Sequence, residues 1–135
     1  MSALRIGSDS PWETRVGYCR AIRVGNQVFV SGTAPITDSG EIFAPGDGYA
    51  QAQRCFEIIG QSLRDLGADL TDVVRTRMFV TNIDSWAEFG RAHSEVFRNH
   101  PPATTMVEVQ RLIDPAMLIE IEADTMIDAT LGETF

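Results

Sequence analysis

The sequence predicts one α+β domain: a mixed sheet with two helices on the same face. Three observations carry that prediction. Two segments, 48–66 and 86–97, repeat apolar residues at helical spacing, and five short β-rich runs stand before, between and after them. No linker, repeat or low-complexity block separates these elements. A length of 135 residues suits one domain, which can bury roughly two-thirds of its unfolded surface without disulfide or metal.

Tyr18 to Val24 and Gln27 to Gly32 read as two strands joined at Gly25-Asn26, a turn dipeptide, and so as a hairpin. Thr33 to Gly48 is broken by Pro35, Gly40, Pro45 and Gly46 and reads as loop, with a brief strand near Glu41-Ile42. Asp47 caps the first helix, whose apolar stripe is Ala52, Cys55, Phe56, Ile59, Leu63 and Leu66, and Gly67 ends it. Val73 to Val80 is a strand. Asp84 or Ser85 caps the second helix, with Trp86, Phe89, His93, Val96 and Phe97 inward, and Pro101-Pro102 stops it. Ala103 to Val109 and Leu118 to Met126 close the sheet, giving the order β-β-(β)-α-β-α-β-β with both helices on one face.

Composition removes several function classes. With 19 acidic and 11 basic side chains the net charge is −8, which repels a phosphate backbone and argues against nucleic-acid binding. Cys19, Cys55 and two histidines give no zinc spacing, and neither a metal nor a cofactor is expected. The two cysteines read as small buried residues of a reducing compartment. The polar N-terminus lacks the apolar core of a signal peptide and no run suits a membrane helix, so a cytoplasmic location without membrane partners is expected.

Strand alternation then assigns faces. Val74, Thr76, Met78, Val80, Val107, Val109, Ile119, Ile121 and Ala123 are expected toward the helices. Arg75, Arg77, Phe79, Thr104, Met106, Glu108, Glu120, Glu122 and Asp124 are expected on the opposite face. Phe and Met mixed with both signs of charge describe a surface covered by another subunit, with ion pairs between chains. The plainer reading is a solvent-facing sheet whose acids keep it soluble.

Pro102-Ala103-Thr104-Thr105-Met106-Val107-Glu108-Val109 and Ile119-Glu120-Ile121-Glu122-Ala123 resemble the C-terminal signature of the Rid superfamily, the reactive intermediate deaminases also called YjgF or L-PSP proteins. Gly25-Asn26-Gln27-Val28-Phe29-Val30-Ser31-Gly32 and Gly67-Ala68-Asp69-Leu70-Thr71-Asp72-Val73-Val74 extend the resemblance over nearly the whole chain. It implies a chorismate-mutase-like (YjgF-type) α+β fold and a homotrimer with a small-molecule cleft between subunits. In the deaminase branch that cleft hydrolyses imines and enamines. An arginine grips the substrate carboxylate and a glutamate positions or activates water.

Carried onto this chain, the glutamate is Glu120, and Tyr18, Ser31 and Gly32 line the cleft. The arginine's place is taken by Thr104, which cannot form its two parallel charged bonds. Either Arg75 or Arg77 takes over that part, Arg77 being the substrate-binding candidate, or the ligand carries no carboxylate. Each residue also has a plainer reading: Glu120 and Arg77 as interface ion-pair partners, Thr104 as a β-branched strand residue. His93 reads as a satisfied, half-buried histidine and Trp86 as core, while Trp12-Glu13 has no reading beyond packing at the cleft mouth. Three functions stay open: a hydrolase of a small imine or enamine, inefficient on 2-imino acids; a non-catalytic trimer that binds a metabolite or protein; and an endoribonuclease, against which the acidic balance counts.

Overall fold

The computed structural model describes residues 2–128. Along the chain run β1 (Ala3–Ile6), α1 (Pro11–Val16), β2 (Ala21–Val24), β3 (Gln27–Thr33), α2 (Gly48–Asp65), β4 (Val73–Val80), α3 (Trp86–Phe97), β5 (Ala103–Glu108) and β6 (Ile119–Met126). The strands form one mixed sheet in the order β1-β2-β3-β6-β4-β5. β4 and β5 are parallel, and the other neighbours are antiparallel. β6 therefore lies in the middle, joining an N-terminal three-stranded half to the β4-β5 pair.

α2 follows the expected pattern. The Asp47 carboxylate accepts from the Ala50 N–H at 3.0 Å, and Ala52, Cys55, Phe56, Ile59 and Leu63 are buried. Its end is a Schellman turn: Ala68 N–H bonds Leu63 C=O at 2.8 Å and Gly67 N–H bonds Arg64 C=O at 3.1 Å. Gly67 sits at φ 83, where a side chain is strained. The helices cover the sheet face bearing Thr76, Met78, Val80, Ile119, Ile121 and Ala123, and these residues form the core with α2 and α3. Gln51 is fully buried among them. Its amide donates to Ala116 C=O at 2.9 Å and accepts from Leu118 N–H at 2.8 Å, tying α2 to the entry of β6.

Four expectations need correction. β1 and α1 stand where the sequence showed only a polar segment. α1 is short, but it has Ser10 accepting from Trp12 N–H, Pro11 in its first turn and Gly17 at φ 90 after its last residue. Trp86, expected in the core, is 62% exposed. Neither Asp84 nor Ser85 makes a side-chain cap on α3; Asn82 instead caps the single 3-10 turn Ile83–Ser85 that leads into it.

The fourth correction matters most for the site: β5 has the opposite phase. Its parallel register sets Thr104 beside Thr76, Met106 beside Met78 and Glu108 beside Val80, so these three share the helical face. Val107 is on the outer face and 41% exposed. Met106 and Val107 are adjacent apolar residues, so alternation alone admits both phases, and a one-residue shift exchanges every side chain. Val74 is likewise turned out, 48% exposed, at an irregularity in the β4–β6 ladder between Val73 and Arg75. No described element covers the outer face, where Phe29 and Met126 are each 40% exposed beside Arg75, Arg77, Glu122 and Asp124.

Candidate functional site

The ladder between β3 and β6 breaks between Val30 and Thr33, leaving Ser31 and Gly32 out of register. Such a bulge re-aims side chains and is common beside functional sites. Here it binds the segment before β2. Ser31 N–H donates to Arg20 C=O at 3.0 Å, and the Ser31 hydroxyl donates to Cys19 C=O at 2.7 Å. Arg20 Nη2 donates in turn to Gly32 C=O at 2.5 Å. Four residues thus hold one another, and Ser31 has spent its proton on structure rather than on a ligand.

Glu120, near the start of β6, lies against this bulge. A Cβ on Gly32 would come within 3.1 Å of the Glu120 carboxyl carbon and 3.2 Å of Oε1, so the glycine leaves the room that the carboxylate occupies. Burial pushes the Glu120 carboxyl above the ordinary glutamate range; the Arg20 charge pulls it back and Glu122 raises it further. Behind it, Cys55 Sγ donates to Thr33 C=O at 3.3 Å, and the thiol is pushed up by burial, with the Glu120 charge adding to the effect. Cys55 is therefore an inert core residue.

Tyr18, Arg20, Ser31, Gly32 and Glu120 line one end of a broad open groove that continues over Trp12 and the N-terminal segment. The Arg20 guanidinium stands 5.9 Å from the Tyr18 ring centroid. The rim is steadied by Glu13, a buried carboxylate that accepts from Ser8 N–H at 3.0 Å and from the Ser8 hydroxyl.

Of the residues singled out from sequence, Tyr18, Ser31, Gly32 and Glu120 come together, whereas Thr104 and Arg77 do not join them. The Thr104 hydroxyl bonds that of Thr76 at 2.7 Å, and Thr76 bonds His93 Nε2 at 2.8 Å. This chain runs inward beneath α3, where His93 packs edge-on to Phe56 and against Phe97, and burial lowers its pKa. Arg77 is held by Glu122 and Asp124, each at 3.1 Å, on the outer face. Arg20 is the residue that sequence reasoning missed. Its signal was present: two positions after Tyr18 in the run expected to be a strand, alternation would set it on the same side as Tyr18. Among the described residues no group of three or more His, Cys, Asp or Glu could hold a metal, and no helix is long and apolar enough to cross a membrane.

Comparison with known proteins agrees with this fold. Residues 8–127 match the family model described as Endoribonuclease L-PSP. A RutC family protein of Pyrococcus abyssi is 40% identical, over 78% of this chain and 83% of its own. The crystal structure of Rv2704 from Mycobacterium tuberculosis, a member of the YjgF/YER057c/UK114 family, is 42% identical with a TM-score of 0.85, covering 93% of this chain and 100% of that one. RidA from an Antarctic Psychrobacter is 25% identical with a TM-score of 0.78, covering 91% and 94%.

Proposed function

The chain belongs to the endoribonuclease L-PSP (YjgF/RutC) family, and we propose that it is a hydrolase of small imines or enamines working through Glu120. The observation that carries this reading is the Glu120 carboxyl, half-buried against Gly32 and raised in pKa, at the end of a groove where a small ligand can lie. A carboxyl whose proton affinity is raised by burial is better suited than an exposed one to take a proton and return it.

The chemistry needs two proton transfers through Glu120, a third to solvent, and no redox partner. Water attacks the carbon of a protonated C=N bond, and its proton passes to the Glu120 carboxylate. The product is a tetrahedral carbinolamine. Glu120 then gives the proton to nitrogen, the C–N bond breaks, ammonia leaves, and the hydroxyl collapses to a carbonyl, releasing its proton to solvent. The uncovered outer face, with Phe29, Val107 and Met126 exposed among charged residues, supports a homotrimer in which a second subunit closes the groove into a cleft.

A second reading, a trimer that binds a metabolite without turning it over, has its own support. Thr104 offers no cation, and its hydroxyl is engaged by Thr76. Ribonuclease chemistry is disfavoured by the net charge of −8 and by the absence of any histidine among the groove residues.

The deciding experiment measures ammonia release from 2-imino acids generated in situ by an amino-acid oxidase and from neutral imines generated by an amine oxidase, with wild type and Glu120→Gln. Hydrolysis accelerated by the wild type and lost in the variant is the expected result. No acceleration by the wild type, with either carboxylate-bearing or neutral imines, removes the catalytic reading and leaves the binding one.

A further inference from the structure

The groove holds a cation whose hydrogen-bonding capacity is not used up. Arg20 has five donor protons, and the only acceptor they meet among the described residues is Gly32 C=O. Its Nε is shielded from solvent with no hydrogen-bond partner at all. A buried donor left in this state is costly, and more so when it carries charge. No carboxylate closes on it in an ion pair among the described residues, although its charge is felt by Glu120. Ion pairs among the described residues join Arg54 to Asp38 and Glu57, and Arg77 to Glu122 and Asp124; Arg20 and Glu120 do not close into one. The guanidinium is nonetheless fixed, held by Gly32 C=O while Ser31 bonds the carbonyls on either side of Arg20, those of Cys19 and Arg20 itself. A pre-positioned, undercompensated guanidinium facing a groove is the usual form of a carboxylate anchor.

We infer that Arg20 is the anchor for an anionic group of the ligand, a carboxylate borne on or next to the reacting carbon, supplied by the same subunit that supplies Glu120. This rests on the catalytic reading of Glu120 only for the word "reacting"; the anion site itself stands on the geometry of Arg20. It also alters what the threonine at position 104 implies. Loss of a cation there does not by itself exclude 2-imino acids, because another cation occupies the groove from the β2 side. Docking an anion on Arg20 additionally draws on the positive charge that otherwise favours ionised Glu120, so bound ligand helps Glu120 take up a proton.

Pyruvate and its neutral counterpart pyruvamide test the anchor without requiring turnover. In titrations of the intact protein followed by calorimetry, pyruvate is expected to bind about tenfold or more tightly than pyruvamide, and Arg20→Gln to abolish that difference. Arg20→Lys, which keeps the charge but not the fork, should retain an intermediate preference. The Arg20 side-chain Nε–H resonance of the wild type should shift with pyruvate and stay put with pyruvamide, a readout that does not depend on any variant folding. Equal affinity for the two probes, no binding of pyruvate, or a preference that survives Arg20→Gln would each overturn the inference. Imine hydrolysis that continues in Arg20→Gln with unchanged KM for a 2-imino acid would overturn it while leaving Glu120's part intact. Pyruvate preference without any hydrolysis would do the reverse.

Discussion

Replacing Gln51 with leucine should destabilise this protein far more than its near-constant volume suggests. The side chain is fully buried, its amide donates to Ala116 C=O at 2.9 Å, and its carbonyl accepts from Leu118 N–H at 2.8 Å. Leucine fills similar space, so the cavity contribution is small. What remains is two backbone groups stripped of partners at the entry of β6, each costing about 1–3 kcal/mol when water cannot reach it. Allowing for partial access of water, a loss of about 3 kcal/mol is expected, against a total of about 5–15 kcal/mol for a domain of this kind. Urea unfolding at fixed protein concentration should show a lower midpoint with an unchanged slope, and the melting temperature should fall by about 10 °C. Gln51→Glu should be no better, since a carboxylate accepts from Leu118 but cannot donate to Ala116. A loss under about 1 kcal/mol for both variants would refute the claim that this amide holds the strand entry.

Glu120→Gln should stabilise the protein at neutral pH and confer no advantage in acid. The folded-state carboxyl is raised chiefly by burial, so the proton is held more tightly folded than unfolded, and wild-type stability falls as pH rises through the raised value. The variant's advantage, followed by urea melts from about pH 4 to 8, should therefore grow from nil to a plateau; growth in the opposite direction would contradict the burial of Glu120. Thr76→Val should cost about 1–2 kcal/mol, because it strips partners from both His93 and Thr104; a change of less than half that would mean the chain of hydroxyls is idle. Gly67→Ala should cost about 1–2 kcal/mol in the same melts, since φ is 83 and a Cβ would sit 2.7 Å from the Arg23 Nη1 that bonds Leu66 C=O. No loss would mean that the turn relaxes.

Much of the fold was legible because the decisive signals were local. Asp47, the stripe Ala52 to Leu63 and Gly67 mark both ends and the buried face of α2, and Gly25-Asn26 marks the β2–β3 turn. The segment before β2 was harder, because α1 spans six residues and depends on Glu13 reaching back to Ser8, a contact that periodicity does not record. Half of the site was legible too: Glu120 and Gly32 follow from the resemblance and do meet. Thr104 was misjudged because side-chain direction in a strand depends on register, and its register is set by Thr76, far along the chain. Arg20 was passed over, although its place two residues after Tyr18 was there to be read.

The central place of β6 has a consequence for the birth of the molecule. Residues 3–33 can pair as a three-stranded unit and residues 73–108 as a two-stranded one, but nothing joins them into a sheet until 119–126 slides between. On a ribosome that adds about 5–20 residues each second, the first half therefore waits several seconds and the second about 1–4 seconds, with open strand edges turned toward the missing strand. Glu120 arrives with that last strand. Until then the groove lacks its carboxylate, and the edges of β3 and β4 are where a chaperone, or a misdirected second chain, would find the nascent chain first.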